Sequence, residues 1–310
     1  MNKVAPIDQH KPRIGRFAPS PTGPLHFGSL VAAVGSYLDA RASGGQWLLR
    51  IEDVDRPRTV RGMIEAQMTA LEAYGFAWDG PVIRQSERSA LYQSALDRLI
   101  AAGLAYPCVC TRSQIAATAG VRKGVDGLVY PGNCANWRMD LPVPASAAWR
   151  FRVPVGAISF EDRVLGYRQQ DLQSDVGDFV LLRADGCFTY QLAVVVDDLA
   201  QGVTDVVRGA DLIDSTPRQI ALIRALGGTL PTYAHLPVVC NSAGEKLSKQ
   251  TRAPAIPVDD AAQRVAMLWQ ALDFLGQRPK PALRHASQQT LWSWALAHWS
   301  LAHVAPQVAG

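Results

Sequence analysis

The stretch Arg16–Ser29, RFAPSPTGPLHFGS, restricts the possible folds of this chain more than any other. Strand-forming residues Ile14–Phe17 run into a turn of Pro and Gly. From about Leu25 the apolar residues Leu25, Leu30, Val34 and Leu38 recur at roughly helical spacing. A strand, a tight turn and a helix start in that order present free backbone N–H groups and the positive end of a helix dipole, which suits a phosphate. His26, at the predicted helix start, can donate a hydrogen bond to a phosphate oxygen. Many such turns only connect elements, so the reading needs a second feature. Lys246-Leu247-Ser248-Lys249-Gln250 supplies it: the chain has only six lysines, and two stand in this pentapeptide.

The 310 residues suffice for one large core plus an insertion or appendage. With 48% apolar and 19% charged residues the composition is that of an ordinary globular protein. A net charge of +4 permits a nucleic-acid surface without requiring one. There is no signal-peptide run at the N-terminus and no stretch near the ~20 apolar residues of a membrane span. Five cysteines, an odd count without secretory context, argue against a disulfide framework. The expectation is a cytoplasmic monomer that does not touch membranes.

Residues 1–12 read as a loose polar tail. Gln46–Ile51 is a short buried strand ending in Glu52-Asp53-Val54-Asp55. Val60–Tyr74 and Glu87–Ala102 are helix candidates, the second with Leu91, Ala95 and Leu99 on one face and Gly103 as C-cap. Such strand–helix alternation predicts a parallel sheet covered by helices. It stops at Tyr106. From 106 to 185 come a cysteine-bearing, Gly-rich run and short β-like pieces at Trp149–Val153, Ala157–Phe160 and Phe179–Leu182. This region reads as an insertion between two halves of the sheet domain, 13–105 and 186–255. Residues 256–310 read as a helical C-terminal segment. Cys187 and Cys240, isolated from the other cysteines, are expected to be buried small apolar residues.

Together, PSPTGPLHFG and KLSKQ resemble the paired nucleotide-binding motifs of class I aminoacyl-tRNA synthetases, which implies a Rossmann-like α/β catalytic domain. RFAPSPTGPLHFG, the RIED at Arg50–Asp53, YQLAVVVDD at 190–198 and VVRGADLIDSTPRQ at 206–219 resemble the glutamyl branch over about residues 13–255. The resemblance implies ATP-dependent activation of L-glutamate, with Mg2+ accompanying the ATP. It places His26, Lys246 and Lys249 in catalysis, and His26, Gly28, Ser29 and Lys249 on ATP. Glutamate falls to Arg16, Phe17, Ala18, Pro19, Ser20, Glu52, Tyr190 and Arg208. Two guanidiniums suit two carboxylates, Glu52 suits the ammonium, and Ser20 and Tyr190 complete the shell. Singly, an Arg after a strand or a Tyr before an apolar run is more often structural; their assignment rests on the motif match. Ser29 stands where the class pattern has a second His, and reads as a marker of the branch. Gln250 replaces the final Ser of the second motif.

Only Thr251–Gly310 follows the lysine motif, too little for an anticodon-binding domain. In this, and in HFGS, the chain resembles the glutamyl-Q tRNA(Asp) synthetases. That family activates glutamate without tRNA and esterifies it to queuosine in the anticodon loop of tRNA(Asp). The alternatives are a truncated glutamyl-tRNA synthetase charging a tRNA 3′ end, and a non-catalytic paralogue that binds RNA or an amino acid. Cys108, Cys110 and Cys134 concentrate three of the five cysteines, with no His between them. A tetrahedral zinc takes four ligands, and the family resemblance makes Tyr130 the fourth of one structural Zn2+ site.

Overall fold

The apolar runs become buried strands because a parallel strand covered on both faces must be apolar on both. The computed structural model describes residues 12–125, 127–138, 140–240 and 254–307. Its first half comprises β1 (Ile14–Phe17), α1 (Phe27–Arg41), β2 (Gln46–Ile51), α2 (Met63–Ala73), β3 (Ile83–Arg84) and α3 (Ser89–Ala101). Next come β4 (Ala105–Cys108), α4 (Arg112–Ala116), β5 (Lys123–Gly124), β6 (Gly127–Leu128), β7 (Ala148–Phe151), β8 (Ala157–Asp162), β9 (Gly166–Asp171), α5 (Leu172–Asp175) and β10 (Phe179–Leu182). The rest comprises α6 (Tyr190–Ala200), β11 (Asp205–Gly209), α7 (Ser215–Ala225), β12 (Thr232–Leu236), α8 (Ala261–Phe274) and α9 (Gln288–His298).

Strands β1, β2 and β3 form one parallel ladder, and β11 and β12 another. The ladders meet where Thr204 N–H donates to Ile14 O at 3.0 Å and Ile14 N–H to the Thr204 hydroxyl at 2.8 Å. Alternate residues of β11 and β12 face opposite cores. Val207, Ala234 and Leu236 join α1, α8 and α9, whereas Val206 and Tyr233 join α3, α6 and α7. The result is a mixed α/β fold with helices on both faces of the sheet. At Gly35 a Cβ would lie 2.4 Å from Leu236 Cδ1, so any larger residue there would push that buried side chain aside.

Between Tyr106 and Asp185 lie a small β5–β6 hairpin and two larger assemblies. β4, β7 and β10 form an antiparallel sheet of their own. The hairpin β8–β9 instead lies beside β12 and extends the central sheet. The C-terminal helices share the core of α1: Leu268, Leu272, Leu291 and Ala295 are buried there. Trp292 meets Tyr37 and Phe76 edge-on at 5.1 and 5.2 Å and donates its indole N–H to Tyr74 O at 2.9 Å.

Some sequence expectations need correcting. The buried face of α3 is Tyr92, Ala95, Leu96 and Leu99, while Leu91 is exposed, because three residues spaced by four drift around a 3.6-residue helix. Cys187 is half-buried and Cys240 exposed; neither is a core residue. Among the described residues no helix is long and apolar enough to cross a membrane.

Candidate active site

Outside the carboxyl ends of β1 and β11, where strand order changes direction, opens a cleft of about 790 Å³. Ligands of open α/β sheets bind at such a switch point. The cleft is lined by Arg16, Phe17, Ala18, Pro19, Ser20, His26, Gly28, Ser29, Glu52, Tyr190 and Arg208. Residues taken from four separate stretches of sequence are thus brought to one place. Lys246 and Lys249, with Gln250, lie outside the described residues. Both flanks of their segment reach the cleft, since Val238 and Val239 line it and Ala255 bridges to His26. Ile256 N–H donates to Leu25 O at 2.9 Å.

His26 is the N-cap of α1, with extended backbone. Its Nδ1 accepts the Ser29 N–H at 3.3 Å, and the Ser29 hydroxyl accepts the His26 N–H at 3.4 Å. This reciprocal capping box accounts for a Ser at that position. An accepting Nδ1 puts the ring proton of the neutral imidazole on Nε2, while the helix start adds its partial positive charge.

At the closed end of the cleft is a network of buried charge. Arg16 donates from Nε and Nη2 to the two oxygens of Asp198, each at 3.2 Å. Arg50, fully buried, donates to Asp198 at 2.6 Å, to Gln201 at 2.9 Å and to Glu52 at 3.3 Å. Two cations and two carboxylates balance. Burial opposes ionisation of Asp198, yet Arg16 and Arg50 hold its carboxyl down to about 2. Burial wins at Glu52, whose carboxyl is pushed above its ordinary value of 4.5 in spite of Arg50.

Arg208 is different. It is 6% exposed, and its five donor contacts go to neutral groups. These are His235 Nε2 at 3.1 Å, Gln219 Oε1 at 2.8 Å, Thr216 Oγ1 at 2.9 Å, and Tyr190 OH and Leu212 O at 3.3 Å each. No carboxylate among the described residues pairs with it. A buried cation without a counter-ion is costly, and the two longest contacts are those a carboxylate would displace. Asp198, Arg50, Thr216 and Gln219 stand within the matched motifs but drew no role from the sequence, and His235 lies outside those motifs.

The cysteine cluster lies apart from the cleft. The sulfurs of Cys108, Cys110 and Cys134 lie within 4.8 Å of one another. Cys110 and Cys134 are 3.5 Å apart, and the Tyr130 oxygen is 3.3 Å from Cys108 and 3.6 Å from Cys110. A tetrahedral zinc with bonds of about 2.3 Å to sulfur and about 2.0 Å to oxygen has edges of roughly 3.8 and 3.5 Å, so the set fits. Burial works against the Cys108 thiolate, but the Tyr130 hydroxyl and Arg150 hold that thiol below its usual value. Cys110 is pushed up to about 11 by burial and its sulfur neighbours, and the Tyr130 phenol is raised for similar reasons. A bound cation would reverse both. Arg150 lies 3.7 Å over the Tyr130 ring and fixes it from behind.

A nucleotide-suited helix start, a switch-point cleft and a paired cation–carboxylate floor are the features of an enzyme that activates an acid on ATP. Residues 14–276 match the family model described as the catalytic domain of class I tRNA synthetases (E and Q), and the chain belongs to that family. It is 58% identical over 290 residues to a glutamyl-Q tRNA(Asp) synthetase of Chromobacterium violaceum, covering 94% of each chain. It is 50% identical over 291 residues to the protein of that name from Pseudomonas aeruginosa, again covering 94% of both. Among solved structures it is similar to glutamate-tRNA synthetase from Elizabethkingia anophelis, with TM-score 0.77 and 27% identity over 96% of this chain and 68% of that one. A glutamate tRNA ligase from Elizabethkingia meningosepticum, solved with its amino acid, gives TM-score 0.77 and 28% identity over 97% and 67%.

Proposed function

We propose that this protein activates L-glutamate with ATP, without tRNA, and transfers the glutamyl group to queuosine at the wobble position of tRNA(Asp). The observation that carries the glutamate assignment is Arg208, a buried cation with no carboxylate partner among the described residues, facing a cleft floored by Arg16 and Glu52. Glutamate brings two carboxylates and one ammonium to two guanidiniums and one carboxylate. The names of the relatives support the acceptor.

In this reading the ATP phosphates lie on the N-terminus of α1, with His26, Gly28 and Ser29 beneath them. Lys246 and Lys249 act on the same phosphates, and the described flanks of their segment reach this cleft. Mg2+ accompanies the ATP and screens its charge. Arg16 and Arg208 take carboxylates, Glu52 accepts from the ammonium, and Ser20 and Tyr190 orient the rest; Phe17, Ala18 and Pro19 form the wall. The α-carboxylate oxygen attacks the α-phosphorus, and the bond to the bridging oxygen breaks to release pyrophosphate. A hydroxyl of the queuosine cyclopentenediol then attacks the glutamyl carbonyl and AMP leaves. The protein's contribution is positioning and stabilisation of charge on the phosphates. Zn2+ on Cys108, Cys110, Tyr130 and Cys134 would hold residues 106–134 in shape as part of an insertion that grips RNA by backbone and form.

Glutamate-dependent exchange of labelled pyrophosphate into ATP, measured without RNA, tests the first half. Exchange should proceed with protein, glutamate, ATP and Mg2+ alone. Exchange that appears only on adding tRNA would contradict the reading.

A further inference from the structure

Beside Arg208 on β11 stands His235 on β12, its direct partner in the parallel register. His235 is fully buried and does not line the cleft. A guanidinium can only donate, so the contact from Arg208 Nε to His235 Nε2 at 3.1 Å makes Nε2 an acceptor. The ring proton must then sit on Nδ1, which faces Asp162 Oδ2 at 2.6 Å. The other oxygen of Asp162, on β8, accepts the backbone N–H groups of His235, Val164 and Leu165. Thr216 Oγ1 accepts from Arg208 Nη2 at 2.9 Å and lies 3.2 Å from His235 Nε2. Carboxylate, imidazole and guanidinium thus form one chain across three neighbouring strands.

We infer that His235, held in one tautomer by Asp162, is the positioning residue that aims Arg208 at the substrate carboxylate. Arg208 has five donors and a choice of neutral oxygens around it; what fixes its plane is an acceptor that cannot rotate. A protonated His235 would withdraw that acceptor and place a second cation beside the first. Burial holds the imidazole pKa below its ordinary value, against the pull of Asp162, while Asp162 stays ionised. Through Asp162 the orientation of Arg208 also depends on the β8–β9 hairpin, so residues far from the cleft reach the amino-acid pocket. This inference rests on the reading of Arg208 as a glutamate ligand.

Three variants test it. A Gln side chain carries its oxygen to about the position of Nε2, whereas an Asn carries its amide to about that of Nδ1. His235→Phe fills the ring volume and supplies neither. In pyrophosphate exchange, His235→Phe and His235→Asn should raise the glutamate KM by roughly one to two decades, the effect of a lost hydrogen bond to a charged group. His235→Gln should recover most of that loss, and the ATP KM should stay within about twofold in all three. If the Phe variant fails to fold, the Gln and Asn pair still decides. Equal glutamate KM values for Gln and Asn, or parallel rises in both substrates' KM with a lowered Tm, would reduce His235 to packing. Wild-type protein that exchanges with no amino acid would overturn the glutamate reading itself, a result no variant can mimic.

Discussion

His26 and Ser29 cap each other across the first turn of α1, imidazole Nδ1 to one amide and hydroxyl to the other. The residue that departs from the usual synthetase pattern thereby orients the one that keeps to it. Ser29→Ala should remove one half of the box and cost below about 1 kcal/mol of stability. The ATP KM should rise by roughly two- to fivefold from the same energy, with the glutamate KM held. A denaturant midpoint and an ATP KM both equal to wild type would show that the box positions nothing.

Arg208 should set the preference for glutamate over glutamine if it holds the side-chain carboxylate, since the amide of glutamine there would leave it uncompensated. Arg208→Gln should lower kcat/KM for glutamate by roughly one to two decades, corresponding to about 1.5–3 kcal/mol, and affect glutamine far less. The check is pyrophosphate exchange with each amino acid. An unchanged glutamate-to-glutamine ratio would mean that the second carboxylate lies elsewhere.

Glu52 predicts a proton linkage. Its carboxyl is raised above 4.5 in the free protein by burial, and an arriving ammonium must lower it. Between those two values the free protein carries a proton that the complex does not, so binding releases a proton and tightens as pH rises through that window. Calorimetry of glutamate binding in buffers of different ionisation enthalpy should show release that vanishes in Glu52→Gln. Proton uptake would have the wrong sign for this assignment.

The cysteine cluster should carry about one zinc per chain in protein purified without chelator. Cys134→Ser should release it and increase amide exchange over residues 106–134. Pyrophosphate exchange should largely survive, because none of the four ligands lines the cleft. Metal-free protein with an ordered cluster would retire the zinc.

The parts of the fold legible in the sequence were those governed by local rules. Leu30, Val34 and Leu38 do form the buried face of α1, although the helix starts at Phe27 because the buried Leu25 precedes the cap. The cleft residues were legible through long motifs. Their partners were not: Asp198 lies 182 residues from Arg16 and 148 from Arg50, and nothing near it in sequence names either. Strand β9, GYRQQD, was missed because it is polar on both faces and its pairing to β8 is what makes it a strand. The same hairpin's place beside β12 is a tertiary choice, invisible in a region whose local pattern reads as an insertion.

The central claim is the acceptor. An anticodon stem–loop is an A-form stem closed by single-stranded bases, as an acceptor end is, so one groove can serve either. The decisive measurement is transfer of labelled glutamate to a hairpin of the tRNA(Asp) anticodon arm carrying queuosine, beside the same hairpin with guanosine and intact tRNA(Glu). The queuosine hairpin should be labelled and the guanosine hairpin should not, because its base lacks the diol nucleophile. Label on the 3′-terminal adenosine of tRNA(Glu), with the queuosine hairpin blank, would make the protein a truncated glutamyl-tRNA synthetase and contradict the account.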